Sequence, residues 1–75
     1  MISDSYRALL FEMRLTDIYN KHSWLSDQLT LQQFIKLFPI VYKRDKPILL
    51  DKPVGFDLDR KLFLEVLLAF RQSFN

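Results

Sequence analysis

The chain has 75 residues, of which 49% are hydrophobic and 15% aromatic, and a formal net charge of +2. This composition favours a packed protein over a disordered one, and the length predicts one small domain over residues 1–75. The absence of cysteine excludes disulfides and thiolate metal sites, and with a single histidine we expect neither a metal nor a cofactor.

The first predicted element is a helix from Ser5 to Lys21, with Ser3 or Asp4 as its N-cap. At 100° per residue its apolar side chains fall into two clusters on nearly opposite sides of the helix. One cluster comprises Tyr6, Leu9, Leu10 and Met13, and the other comprises Phe11, Leu15, Ile18 and Tyr19. A helix with two apolar faces is either sandwiched inside a domain or shared with a partner.

The segment "HSWLSDQ" then interrupts the helical pattern with polar residues that favour turns. We expect Trp24 and Leu25 to fold back onto the core. His22 follows the helix end, where an imidazolium interacts favourably with the helix dipole and the last carbonyls. This position favours a structural role for His22 over a catalytic or ligand-binding one.

A second helix is predicted from Leu31 to Leu37. Thr30 and Gln33 have the spacing of a capping box, in which each side chain accepts a hydrogen bond from the other residue's backbone N–H. Pro39 ends this helix, because the residue before a proline is pushed out of the α region.

Two short β-prone runs follow, "IVY" and "ILL", on either side of "KRDKP". They predict a small hairpin in which Pro47 lies on an edge or at a strand start, since proline cannot donate to a ladder. The tripeptide Asp-Lys-Pro occurs at 45–47 and again at 51–53. We favour a turn-forming role for this repeat, and a loop that presents lysines to a partner is the alternative.

The last predicted helix runs from Leu58 to Ser73, with Asp57 as its cap. Apolar residues point almost all round its axis, which is typical of a buried helix. Its only coherent polar strip consists of Lys61, Glu65 and Gln72. The predicted fold is therefore mainly α, with the element order α-α-β-β-α.

The sequence contains no glycine-rich phosphate loop, no nucleophile elbow and no helical His-Glu pair at metal spacing. We therefore expect no enzymatic activity and no small-molecule substrate. The N-terminal residues show no secretory pattern and the longest apolar run is far short of a membrane span, which predicts a cytoplasmic protein without membrane association.

The surplus of apolar helix surface predicts a protein–protein interaction protein, either a homo-oligomer such as a homodimer or a small subunit or regulator of a larger assembly. Its interface is predicted on the first and last helices, at Phe11, Leu15, Ile18, Phe63, Leu67, Phe70 and Phe74. The structural alternative is a compact monomer in which the hairpin and Trp24 cover the last helix.

A second hypothesis is that the protein is a small dimeric regulator that binds nucleic acid through the basic loop 43–61. Its candidate phosphate contacts are Lys43, Arg44, Lys46 and Lys52. Six basic residues and four aspartates lie in that loop, so its net charge is only +2. This balance makes nucleic acid the less favoured partner.

Overall fold

The computed structural model describes residues 3–50 and 59–74. Its elements in chain order are α1 (Asp4–Lys21), a 3₁₀ helix (Ser23–Asp27), α2 (Leu31–Lys36), β1 (Ile40–Lys43), β2 (Lys46–Leu49) and α3 (Arg60–Phe74). The molecule is mainly helical, and a two-stranded antiparallel hairpin separates the second and third α-helices. The predicted fold class and element order are confirmed.

The first two α-helices begin at the capping residues that the sequence predicts. The Ser3 hydroxyl oxygen accepts a hydrogen bond from the backbone N–H of Tyr6 at 3.2 Å. Thr30 and Gln33 form the complete capping box, with side-chain-to-backbone distances of 3.1 and 2.8 Å. Each bond satisfies an amide that the helix itself leaves unpaired. The predicted cap of the third helix, Asp57, lies outside the described residues.

The hairpin is closed by a two-residue turn. Lys43 lies opposite Lys46 across the strands, and Arg44 and Asp45 between them have φ values of 52° and 63°. Two consecutive left-handed residues are typical of a type I′ turn, whose twist matches that of the flanking strands. Pro47 lies within β2. Both strands of a two-stranded sheet are edge strands, so Pro47 is on an edge, as predicted.

The core lies where α1, α2 and α3 meet. It consists of Phe11, Leu15, Leu25, Phe34, Leu37, Phe38, Leu62, Val66 and Ala69. Phe11 packs edge-on against Phe70 with ring centroids 5.8 Å apart, a favoured geometry for aromatic pairs. Arg14 contacts Gln72 and Lys21 contacts Glu65, so α1 and α3 run antiparallel.

The 3₁₀ helix places its two large apolar residues differently. Leu25 is fully buried, as predicted, whereas Trp24 is exposed and its ring lies 6.3 Å from that of His22. The prediction that Trp24 folds onto the core is wrong. With three residues per turn, neighbouring side chains in a 3₁₀ helix point about 120° apart, so the turn that buries Leu25 directs Trp24 outward.

Candidate interaction surfaces

The side of α1 that faces away from the core carries a row of three large apolar side chains. Tyr6, Leu9 and Met13 are 50%, 53% and 57% exposed. Their spacing of three and then four residues places them on one face of the helix. A single exposed leucine is ordinary, but a row along a helix is typical of a contact surface. We call these three residues the α1 stripe.

The outward side of α3 combines apolar and basic side chains. Leu64 and Leu68 are 52% and 57% exposed and lie one helical turn apart. Arg60 and Lys61 lie one turn before Leu64, Arg71 lies one turn after Leu68, and all three are exposed. We call these five residues the α3 patch.

The exposed charges beside the α1 stripe and those in the α3 patch have opposite signs. The exposed acidic residues of α1 are Asp4, Glu12 and Asp17, and its exposed basic residue, Lys21 at the helix end, pairs with Glu65. At 100° per residue, Glu12 and Asp17 flank the α1 stripe on its two sides. Every exposed charge of α3 is basic, and its single acidic residue, Glu65, is partly buried. The α1 stripe thus has an acidic border and the α3 patch a basic one.

A groove of about 420 Å³ runs between α1 and α3. On its α3 side lies Glu65, whose two carboxylate oxygens accept from Lys21 Nζ at 3.0 Å and contact His22 Nε2 at 2.8 Å. Further along, Arg14 Nη1 donates to Gln72 Oε1 at 3.1 Å. These contacts join the two helices through the polar strip that the sequence identifies on α3.

The contacts of Glu65 favour its ionised form. Hydrogen bonds from His22 and then from Lys21 lower the pKa of the Glu65 carboxyl below its usual 4.5, although partial burial opposes the shift. The arrangement is that of an ion pair that joins two helices.

His22 has both a local and a long-range role. It is the C-cap residue of α1, and its backbone N–H donates to the Ile18 carbonyl at 3.2 Å. Its side chain reaches Glu65, which lies 43 residues away in the sequence. The sequence indicates the position at the helix end but carries no signal for this distant partner.

The seven residues predicted to form the interface are divided by the fold. Phe11 and Leu15 are only 2% and 0% exposed, because α1 turns that cluster toward α3 and the core. In the folded chain these two offer no surface to a partner. The other five are partly buried on the two helices: Ile18, Phe63, Leu67, Phe70 and Phe74. The apolar side chains that α1 and α3 expose most belong to the α1 stripe and the α3 patch.

The structure brings together three of the four candidate phosphate contacts. Lys43 and Lys46 lie directly opposite one another at the end of the hairpin, and Arg44 is in the turn between them. All three are exposed. Lys52 lies outside the described residues. Like charges opposite one another in a sheet are mildly destabilising, so an anion at this tip would relieve a repulsion.

Within residues 3–50 and 59–74, no group of three His, Asp or Glu side chains is placed to hold a metal ion. In the same part of the chain, no helix combines the length and apolar composition needed to cross a membrane. No protein-family model, curated protein or solved structure matches the chain.

Proposed function

We propose that the chain is a non-catalytic, cytoplasmic protein-interaction protein, a homo-oligomer or a small subunit or regulator of a larger assembly, which associates through its first and last helices. The observation that carries this proposal is the pair of exposed apolar surfaces, the α1 stripe and the α3 patch. Contiguous apolar surface of this kind on a small protein is typical of a binding site for another protein.

The energetic argument depends on five side chains, Tyr6, Leu9, Met13, Leu64 and Leu68, each about half exposed. Full burial of a large apolar side chain stabilises by about 1.5–3 kcal/mol, so covering the exposed half contributes about 1 kcal/mol per residue. For one chain the sum is close to the lower end of the roughly 4–15 kcal/mol that association costs. A stable complex therefore needs comparable apolar surface from the partner.

Two features support the non-catalytic part of the proposal. The sequence lacks the nucleophile, metal and phosphate-binding motifs of the common enzyme classes. The most polar cluster in the α1–α3 groove, built around Glu65, is an ion pair whose carboxyl pKa is lowered. Both features are typical of a protein that binds without transforming its partner.

The experiment is photo-cross-linking in the cells that make the protein, with a photoreactive phenylalanine analogue in place of one residue at a time. We place it at Met13 in the α1 stripe and at Leu68 in the α3 patch. Leu50, which is 41% exposed and lies next to the hairpin strands, provides the matched control. The expected result is a discrete cross-linked protein adduct from Met13 and Leu68 and none from Leu50.

The absence of adducts from both Met13 and Leu68, with the chain folded and expressed, would contradict the proposal. Adducts of equal intensity at all three positions would also contradict it, because they would indicate non-specific contact. Identification of the adduct by mass spectrometry then tells a second copy of the chain from a different protein.

The hairpin tip supports a second candidate function, binding of nucleic acid through phosphate contacts. The supporting observation is the exposed cross-strand pair Lys43 and Lys46 with Arg44 between them. Fluorescence anisotropy with a labelled duplex and a labelled single strand tests it. Binding that weakens steeply with salt and is lost in Lys43→Glu/Lys46→Glu would favour this function, because released counterions drive phosphate binding. Retention of binding in that variant would exclude the tip as the contact site.

A further inference from the structure

The α1 stripe and the α3 patch are complementary in charge, and both are on the same chain. The stripe is bordered by Glu12 and Asp17, and the patch contains Arg60, Lys61 and Arg71 around two leucines. Apolar side chains lie at the centre of each surface and charges lie at its edge. This is the arrangement of a protein interface with an apolar centre and a polar rim.

We infer that the occupant of each surface is a second copy of this chain, with the α1 stripe of one protomer on the α3 patch of its partner, and the reverse. This inference rests on the proposed function and specifies its partner. A two-fold axis that exchanges the two surfaces makes the interface self-complementary, so that every contact occurs twice in the dimer.

Other pairings of the same surfaces are opposed by charge. Two α1 stripes in contact would bring Glu12 and Asp17 of one protomer near the same carboxylates of the other. Two α3 patches in contact would bring six cationic side chains together, three from each protomer. Like charges across an interface disfavour a pairing, whereas stripe against patch places carboxylates opposite guanidinium and ammonium groups.

The ion pairs inside the chain leave these charges available. Within the described residues, the two salt bridges are Lys21–Glu65 and His22–Glu65, and neither involves Glu12, Asp17 or a basic residue of the α3 patch. The single acidic residue of α3 is therefore already engaged with α1 of its own chain. The exposed cations of the α3 patch are in neither of these ion pairs, so they can face the acidic border of the α1 stripe on a partner.

An anionic membrane or a nucleic acid fits the α3 patch less well than the α1 stripe of a second copy does. The patch has only two apolar residues, which is too narrow an apolar face for an interfacial membrane helix. The leucines lie between the basic residues, where a nucleic acid would place phosphates or bases, and the patch includes no aromatic ring on which a base could stack. The α1 stripe matches both parts of the patch, because its apolar side chains face the leucines and its acidic border faces the basic residues.

The test uses two charge-reversal variants of the full chain and sedimentation velocity over a range of concentrations. Variant A is Glu12→Lys/Asp17→Lys, which makes both surfaces basic. Variant B is Arg60→Glu/Lys61→Glu/Arg71→Glu, which makes both surfaces acidic. Each variant alone places like charges across the interface, whereas a mixed dimer of A and B restores opposite charges at both contacts.

The wild type is expected to form a dimer of twice 9.1 kDa. In A and in B, the dimer dissociation constant should rise on the order of 100-fold, because each reversed charge acts twice in a two-fold dimer. An equimolar mixture of A and B should recover a dimer at least as tight as the wild type. Circular dichroism of each variant verifies that it remains helical, since all five substituted residues are exposed.

The changed net charge alone could weaken the self-association of A and of B, so a matched control pair carries the same number of reversals elsewhere. The first control is Asp27→Lys/Asp45→Lys, and the second is Lys36→Glu/Lys43→Glu/Lys46→Glu, all at exposed positions outside both surfaces. Each control should dimerise with itself like the wild type.

Four outcomes would overturn the inference: a wild type that stays monomeric at every concentration, A and B that dimerise like the wild type, a mixture that does not recover the dimer, or controls that behave like A and B. A cross-linked adduct with a different protein at Met13 and Leu68 would leave the proposed function standing and overturn only the second-copy inference. The absence of any adduct at those positions would overturn the proposed function itself.

Discussion

The two sides of α1 are almost equally apolar in sequence, yet the fold treats them differently. Phe11 and Leu15 on one side are buried against α3 and the core. Leu9 and Met13 on the other side remain more than half exposed. The difference teaches that hydrophobicity alone does not determine which side of a helix becomes the core. Neighbouring elements decide it, and the side that they leave uncovered is available to another protein.

The largest expected difference between the two sides of α1 is in how much a leucine-to-alanine substitution lowers the free energy of unfolding. Leu15→Ala removes a fully buried side chain and should destabilise the fold by about 2–5 kcal/mol, because it leaves a cavity as well as losing burial. Leu9→Ala should change the same free energy by less than about 0.5 kcal/mol, since it alters an exposed position. Urea denaturation followed by circular dichroism, at a concentration where the chain is monomeric, measures both.

Equal destabilisation by Leu15→Ala and Leu9→Ala would contradict the assignment of inner and outer sides. In a small domain Leu15→Ala can abolish the unfolding transition altogether, and that result also counts as the large effect.

A smaller contrast is expected between two tyrosines of the same helix. The Tyr19 hydroxyl donates to the Leu29 carbonyl at 2.8 Å in a partly buried position, whereas Tyr6 belongs to the exposed stripe. Tyr19→Phe should therefore cost about 0.5–1.5 kcal/mol of unfolding free energy, and Tyr6→Phe should cost almost none. Thermal unfolding of the two variants in parallel measures the contrast, and a larger loss in Tyr6→Phe would overturn it.

The smallest expected effect concerns the ion pair at the edge of the α1–α3 contact. The pKa of Glu65 is lowered in the folded chain by its hydrogen bonds to His22 and Lys21, so its ionised form stabilises the fold. That stabilisation is present above the usual carboxyl pKa of 4.5 and is lost as the pH falls through the lower folded-state pKa. Because the Glu65 side chain is 33% exposed, the contribution should be less than about 1 kcal/mol.

Glu65→Gln should therefore be less stable than the wild type at pH 6, and the difference should shrink as the pH falls below the usual carboxyl pKa of 4.5. The control is Asp27→Asn in the 3₁₀ helix, which removes an exposed carboxylate that has no ion pair within the described residues. Denaturation at several pH values measures both variants. A difference between Glu65→Gln and the wild type that grows toward low pH would contradict the assigned direction of the pKa shift.

The fold is largely predictable from local signals in the sequence. The capping box at Thr30 and Gln33, the cap at Ser3 and the paired β-prone runs around residues 44–45 each depend on residues that are close in the chain. Their geometry is set by backbone hydrogen bonds over three or four positions, so the sequence specifies them directly.

The candidate surfaces were only partly predictable. The sequence places Tyr6, Leu9 and Met13 together on one side of α1, and Phe11 and Leu15 on the other, but it does not indicate which side α3 covers. That choice depends on contacts between residues more than 40 positions apart, such as Lys21 with Glu65. Similarly, an apolar pattern all round α3 predicts a buried helix, whereas the fold covers one side and leaves Leu64 and Leu68 exposed.

The most direct test of the contrast between the two sides of α1 is a dilution series followed by methyl NMR of leucine- and methionine-labelled protein. If the exposed surfaces mediate self-association, the methyl signals of Leu9, Met13 and Leu68 should shift with concentration. The signals of Leu15 and Leu25, which are fully buried in the folded chain, should remain unchanged. Concentration-dependent shifts at Leu15 and Leu25, or none at Leu9, Met13 and Leu68, would contradict this account.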